Sequence, residues 1–330
     1  MLRQIDKTLS REEIKNYDVP IHEQSASWLM AEFGGGKKHP LQVGRLIKNS
    51  IWQNRRWILA KETKPLVGLI RNFWYSHIKP VLARTNSLNP KYDQYNQLIQ
   101  ELYDMVVTND LMRYRDMGFV DDNQNSRSIG AATNIILFAE KDGHYPLLQE
   151  IAKEHDITII SLGGQPSALS VEYFVDEMKA KKINLQQTFY LYSLVDYDTS
   201  GHIIRNAFIR DLRHYGVTHV RTTDIALPSR LPADQVRLNK YPLPNSPEMR
   251  KKNKKWLAAT GGIDGELFGL ESDAFQPEWV KQFLRTELKE ILGMSEEKRF
   301  VAKLKELAGT LDQYVAVKAR EGRIQHARTS

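Results

Sequence analysis

Short apolar runs alternate with segments of helical period through the middle of the chain, and this rhythm predicts a parallel α/β sheet. Residues 134–139, 157–162, 188–195 and 217–222 are compact apolar runs, each the length of one buried strand. Between them, residues 146–155, 166–181 and 201–215 read as helices. Strands covered on both faces by helices form parallel sheets. The working residues of such sheets lie in loops at the carboxyl ends of the strands.

Upstream the period is helical. Residues 1–26 read as a polar arm with one short helix over 10–15, where Ser10 is the N-cap and Glu13 completes a capping box. A helix over 27–33 ends at Gly34-Gly35-Gly36, and the following Lys37-Lys38 lacks the spacing of a phosphate-binding P-loop. Residues 41–84 predict helix in two or three pieces, broken near Thr63-Lys64-Pro65. Residues 92–118 predict another, with Leu98, Leu102, Met105 and Val106 at helical spacing, and 121–128 a polar loop. This succession suits a winged helix-turn-helix. Downstream, Pro228, Pro232, Pro242, Pro244 and Pro247 predict an extended linker that includes the basic run at 250–255. Amphipathic helices are expected over 276–292 and 296–319, the second with a core-packing stripe of Phe300, Leu304, Leu307, Leu311 and Val315.

Composition narrows the class. The chain has 330 residues, 41% hydrophobic and 26% charged, as in ordinary globular proteins, and its length favours two domains. With no cysteine, disulfides and thiolate metal sites are excluded. No apolar run follows the first basic residues and none is long enough to span a bilayer, so an intracellular protein without membrane contact is expected. The net charge of +7 is concentrated at Lys37-Lys38, residues 45–56 and residues 250–255. Those clusters read either as solvated faces or as contacts for an anionic partner.

Two acidic groups fall at strand ends. Glu140 follows the first strand in FAEKDG, and Asp196 and Asp198 follow the third in LVDYDTSG. Three carboxylates are hard oxygen donors that suit magnesium rather than zinc. Magnesium held by few protein ligands keeps positions open for phosphate oxygens. The order Glu, Gly143, a βα unit and then Asp-x-Asp resembles the Toprim domain of topoisomerases, primases and related nucleases, over about residues 134–222. The turn Gly163-Gly164-Gln165-Pro166 resembles the one that follows the second strand in the A subunit of topoisomerase VI.

A second motif lies upstream, in Arg71-Asn72-Phe73-Trp74-Tyr75. Arg71 and Tyr75 are four residues apart and would share a helix face. A guanidinium beside a phenol favours the phenolate and can grip a phosphate. An aromatic run on a helix is otherwise a core feature. Followed by the Toprim-like block, the motif resembles the A subunit of topoisomerase VI and its relative, the meiotic double-strand-break protein. Trp74-Tyr75 stands where that family has Tyr-Tyr or Phe-Tyr, and Thr199 where it often has Pro. The stretch Phe268-Gly269-Leu270-Glu271 resembles a Glu-bearing segment after the family's sheet.

That resemblance implies an N-terminal arm over 1–40, a winged-helix-like DNA-binding domain over 41–130, and a Toprim domain with a C-terminal helical extension over 131–330. It implies Tyr75 as nucleophile, Arg71 as its phosphate-binding companion, and Glu140, Asp196 and Asp198 as ligands of Mg2+. It further implies a homodimer around double-stranded DNA, 5′-phosphotyrosyl ends, and, for strand passage, a separate GHKL-type ATPase B subunit. Two alternatives stay open: a hydrolytic Toprim nuclease of a plasmid-defence type, and a non-catalytic DNA-binding subunit.

Overall fold

The computed structural model describes residues 14–292 apart from 67, 90–93 and 164–167, and beyond them Leu304 and Leu311. The expected helix at 10–15 and the turn at 163–166 therefore lie largely outside the described residues. So does the helix at 296–319, of which Leu304 and Leu311 are helical and exposed. The chain divides into a unit over 1–274 and a second over 275–330.

The helical layer of the first unit begins with α1 (Ala26–Phe33), whose N-cap Ser25 accepts from the Trp28 N–H at 3.2 Å. Next, α2 (Val43–Leu59) turns Leu46, Ile47 and Ile51 inward at helical spacing. Four polar residues, Asn49, Ser50, Gln53 and Asn54, are buried on it too. Asn49 Oδ1 accepts from the Lys15 N–H, and Gln53 bonds the Ile21 N–H and the Tyr17 and Val19 carbonyls. These side chains stand in for a strand partner, so the segment 14–21 is pinned to α2 and its buried backbone is satisfied.

The next helix is interrupted. It runs as α3 (Ile70–Phe73), a π-helical turn over Trp74–Ile78, and α4 (Lys79–Arg84). Pro80 has no N–H to give and its ring would strike the carbonyl four residues back. The Lys79 N–H accordingly reaches five residues back, to Trp74 O. A second π turn, Asp104–Thr108, ends α5 (Gln94–Tyr103). The helix expected to reach 118 stops there, because Asp110 takes a left-handed φ of 48°. Among the described residues of this layer, strand-type pairing is limited to single bridges, Gly34 with Leu41 and Gly68 with Phe119.

The sheet follows. It comprises β1 (Arg127–Ser128), β2 (Ala132–Ala139), β3 (Ile157–Ser161), β4 (Phe189–Leu194) and β5 (Val220–Asp224), in the order β1-β3-β2-β4-β5. Only β1 is antiparallel. The connecting helices are α6 (Tyr145–His155), α7 (Ala168–Ala180) and α8 (Thr199–His214). The α/β expectation holds, and β2, β3 and β4 lie within about two residues of their apolar runs. β5 starts later than its run because Gly216 (φ 111°) first turns the chain out of α8. Ile136, Phe138 and Ile160 pack between the sheet and α7 and α8 with Phe174, Phe208 and Leu212.

Glu172 of α7 joins this block to the helical layer. It is fully buried and accepts from the Tyr114 N–H, the Arg115 N–H and the Tyr215 hydroxyl at 3.0–3.2 Å. Removing the carboxylate leaves those donors without partners in an apolar setting. Glu172→Ala should lower the unfolding free energy by roughly 3 kcal/mol, read from urea denaturation. A loss under about 0.5 kcal/mol, the range of ordinary surface changes, would contradict this role.

After the sheet come α9 (Ala233–Asn239), β6 (Lys240–Pro242), α10 (Pro247–Thr260) and β7 (Phe268–Leu270). The basic run expected in an extended linker is thus helical. Ser246 caps α10, Pro247 takes its first position, and Asn253 and Trp256 face inward while Lys251, Lys252, Lys254 and Lys255 face out. The second unit contains α11 (Pro277–Leu292), which buries Val280, Leu284 and Leu288 on one face, as its pattern predicted. No described helix is long and apolar enough to cross a membrane.

Candidate active site

Parallel pairing of β2 with β4 sets Ala139 beside Leu194, so both strands release their chains at the same edge. Glu140 follows at once, its N–H donating to Leu194 O at 3.3 Å. Asp196 and Asp198 leave the end of β4. The structure therefore brings the three carboxylates named from the sequence to one edge of the sheet.

Their environments differ. One Glu140 oxygen accepts the backbone N–H of Asp196, while Oε2 is buried with no hydrogen-bond partner. Burial pushes the Glu140 pKa up to about 7, and the charges of Asp196 and Asp198 push it the same way. Asp196 is also opposed by burial, but the Ser272 hydroxyl (2.7 Å), the Ser272 N–H (2.8 Å) and Lys141 Nζ (3.0 Å) all converge on its Oδ1. Those donors hold it below the usual carboxylate range. Asp198 is the N-cap of α8, accepting from the Gly201 N–H at 2.7 Å, and its Oδ2 accepts from the Tyr241 hydroxyl at 2.8 Å. Thr199 donates to Asn253 Oδ1 at 2.8 Å, which ties the start of α8 to the basic helix α10.

Several residues at this edge were not singled out from the sequence. Leu270 forms an antiparallel bridge with Tyr197, through N–O distances of 2.9 and 3.1 Å. The bridge delivers Glu271, Ser272 and Asp273 to the acidic edge. Lys141 Nζ lies 2.6 Å from Glu271 Oε2 and 2.8 Å from Asp273 Oδ2, and His144 Nε2 is 2.9 Å from Ser272 Oγ. The only sequence signal was the Phe268–Glu271 stretch.

Tyr75 lies on the π turn. It is half exposed, with Lys79 Nζ 4.8 Å from its ring centroid, a cation–π distance. Arg71 is exposed as well and lines a cavity of about 460 Å³ with Tyr95, Tyr103, Leu162 and Gly163. Among the described residues, no hydrogen bond or ion pair joins Arg71 to Tyr75, or either of them to Glu140, Asp196 or Asp198.

A hard cation fits this edge on one count above all: the buried, unpartnered Glu140 Oε2 beside two further carboxylates. As the side chains stand, no group of three or more His, Asp or Glu among the described residues is gathered to hold a metal ion. The positive charge in direct contact with these acids is that of Lys141, and Arg205 lines the cleft beside Asp196 and Asp198.

The unpartnered carboxyl predicts a pH effect. Glu140 has a folded-state pKa of about 7 against an ordinary 4.5, so the folded chain holds a proton that the unfolded chain releases between those values. Stability of the metal-free protein therefore falls as pH rises through that window. Glu140→Gln should remove the fall, leaving the variant roughly 1 kcal/mol more stable than the parent at pH 8 once solvent screening is allowed for. Urea denaturation at pH 5 and pH 8 with chelator measures it, and equal pH slopes in the two proteins would contradict the assignment.

Fold and site together define an α/β protein with a carboxylate site at the carboxyl edge of a mainly parallel sheet. No family model matches the chain, and no curated protein does.

Proposed function

We propose that the chain is a Toprim-type, magnesium-dependent DNA-cleaving subunit similar to the A subunit of topoisomerase VI, cutting by tyrosine transesterification. The observation that carries this reading is the acidic edge: Glu140 with a buried free oxygen beside Asp196 and Asp198, at the ends of adjacent parallel strands. Glu140, Asp196 and Asp198 would hold Mg2+, which when bound neutralises phosphate charge and stabilises an in-line displacement.

The chain's own residues would do the rest. The Tyr75 hydroxyl gives up its proton to solvent as its oxygen attacks phosphorus, a Tyr–O–P bond forms, and the P–O3′ bond breaks. The departing 3′ oxygen takes up a proton, and the 5′ end stays on the protein. Arg71 grips the phosphate through its guanidinium. The phosphotyrosyl link conserves the bond energy, so reversal reseals the strand. As in the family the chain resembles, the pairing would be between protomers: Tyr75 of one subunit with the acidic edge of its partner. A two-fold dimer thereby supplies one tyrosine to each strand of a duplex. The basic clusters at 37–38, 45–56 and on α10 contact phosphates with little sequence preference. Strand passage would need a separate GHKL-type ATPase subunit.

The acidic edge serves equally a second reading, a hydrolytic Toprim nuclease in which water attacks and Tyr75, with Lys79 over its ring, only packs. Incubation with supercoiled plasmid tests the shared part. Linear product that requires Mg2+ and vanishes with chelator is expected. No cleavage with Mg2+ or Mn2+ would leave a non-catalytic DNA-binding subunit as the account.

A further inference from the structure

Lys141 is the most heavily engaged cation at the acidic edge. An ammonium has three N–H donors, and those of Lys141 meet three carboxylates: Glu271 at 2.6 Å, Asp273 at 2.8 Å and Asp196 at 3.0 Å. Glu271 and Asp273 are exposed and on their own would be left solvated. They arrive here only because β7 bridges Tyr197. Asp196 is nearly buried, and the lysine is about one-third exposed.

We propose that Lys141 is a built-in counter-cation that occupies Asp196 in the metal-free chain and must yield part of that carboxylate when a divalent cation enters, so that it sets the metal affinity of the site. This inference rests on the metal-binding reading above. Asp196 Oδ1 already accepts three donors, two from Ser272 and one from Lys141. An incoming cation at Glu140 Oε2 would meet the positive charge of Lys141, whose field already acts on that carboxyl. Like charges in one site cost binding free energy, even at the effective dielectric of a protein surface. Glu271 and Asp273 have the second part of the device. They give the displaced ammonium somewhere to stay, so it can swing from Asp196 without losing every partner. The result is an acidic site held together while empty, with one of its negative charges offset by Lys141, and with an affinity low enough to follow the free divalent concentration.

The test is direct binding of Mn2+, counted by electron paramagnetic resonance or calorimetry without DNA, on the full chain. Lys141→Met should tighten Mn2+ binding by roughly tenfold, one fixed charge removed. Lys141→Gln, neutral but polar, should do the same if Met disturbs the loop. Two further variants separate causes. Adding Glu140→Gln to Lys141→Met must abolish the gain, because the gain belongs to the Glu140–Asp196 site. A gain that survives it would mean a new site on Glu271 and Asp273, and would overturn the proposal. Glu271→Gln with Asp273→Asn should weaken Mn2+ binding, since the ammonium is then left on Asp196 alone. Saturable Mn2+ binding in the parent, unchanged in Lys141→Met, would overturn the proposal and leave the metal site standing. No binding in any form would overturn both.

Discussion

Replacing Tyr75 with phenylalanine is expected to remove the proposed DNA cleavage and to leave DNA binding intact. The ring is half exposed on the π turn and Lys79 lies over its face, so a phenyl ring keeps both the packing and the cation–π contact. The fold is therefore unchanged within the roughly 0.5 kcal/mol typical of surface substitutions. Arg71 and the basic clusters are untouched, so affinity in a gel shift stays within about twofold at fixed salt. What disappears is the oxygen proposed to attack phosphorus. Loss of a covalent nucleophile lowers the rate by roughly three orders of magnitude or more. A nuclease that draws its nucleophile from water behaves otherwise and still cuts.

The second large effect is expected at Asp196. Asp196→Asn keeps an oxygen to accept from the Ser272 N–H and hydroxyl but removes the charge that faces Lys141. Metal-supported cleavage should fall by roughly two to three orders of magnitude, the scale of losing one electrostatic element in a preorganised site. DNA binding should stay level or improve, because one negative charge near the phosphate is gone. Cleavage at the parental rate would remove Asp196 from the metal centre. The amide is a cleaner probe here than alanine is at Asp198. Asp198 caps α8, and truncating a cap costs about 1 kcal/mol on its own.

The sequence made the sheet legible because its inner strands are buried on both faces. Ile136 to Ala139 and Ile157 to Ser161 must be apolar without interruption, and such runs need no tertiary information to be seen. Glu140, Asp196 and Asp198 were legible for the same reason, as charges placed where those runs stop. The Lys141 cluster was not. It depends on Leu270 bridging Tyr197 across more than 70 residues of chain, and nothing local marks that pairing. The prolines misled in the other direction: Pro247 opens a helix instead of preventing one, because the first turn needs no N–H from it. The inward Asn49 and Gln53 of α2 break its apolar stripe, yet they bind the neighbouring backbone that a longer apolar face would have left unsatisfied.

The π turn under Tyr75 was likewise invisible to a period of 3.6. The physical cause, Pro80, is in the sequence, but the same proline would also permit a simple break. With the Lys79 N–H bonded five residues back, the turn is widened at the residue proposed as nucleophile. Single π turns recur at functional positions in helices because they displace one side chain from the regular row.

The central claim is a covalent bond between Tyr75 and DNA. Plasmid is incubated with the protein and Mg2+, stopped with denaturant, and the DNA ends are resolved by denaturing electrophoresis with and without protease. The account predicts cut DNA whose 5′ ends carry protein until protease removes it, and no such product with Tyr75→Phe. Cut DNA with protein-free ends, formed at the same rate by Tyr75→Phe, would contradict it.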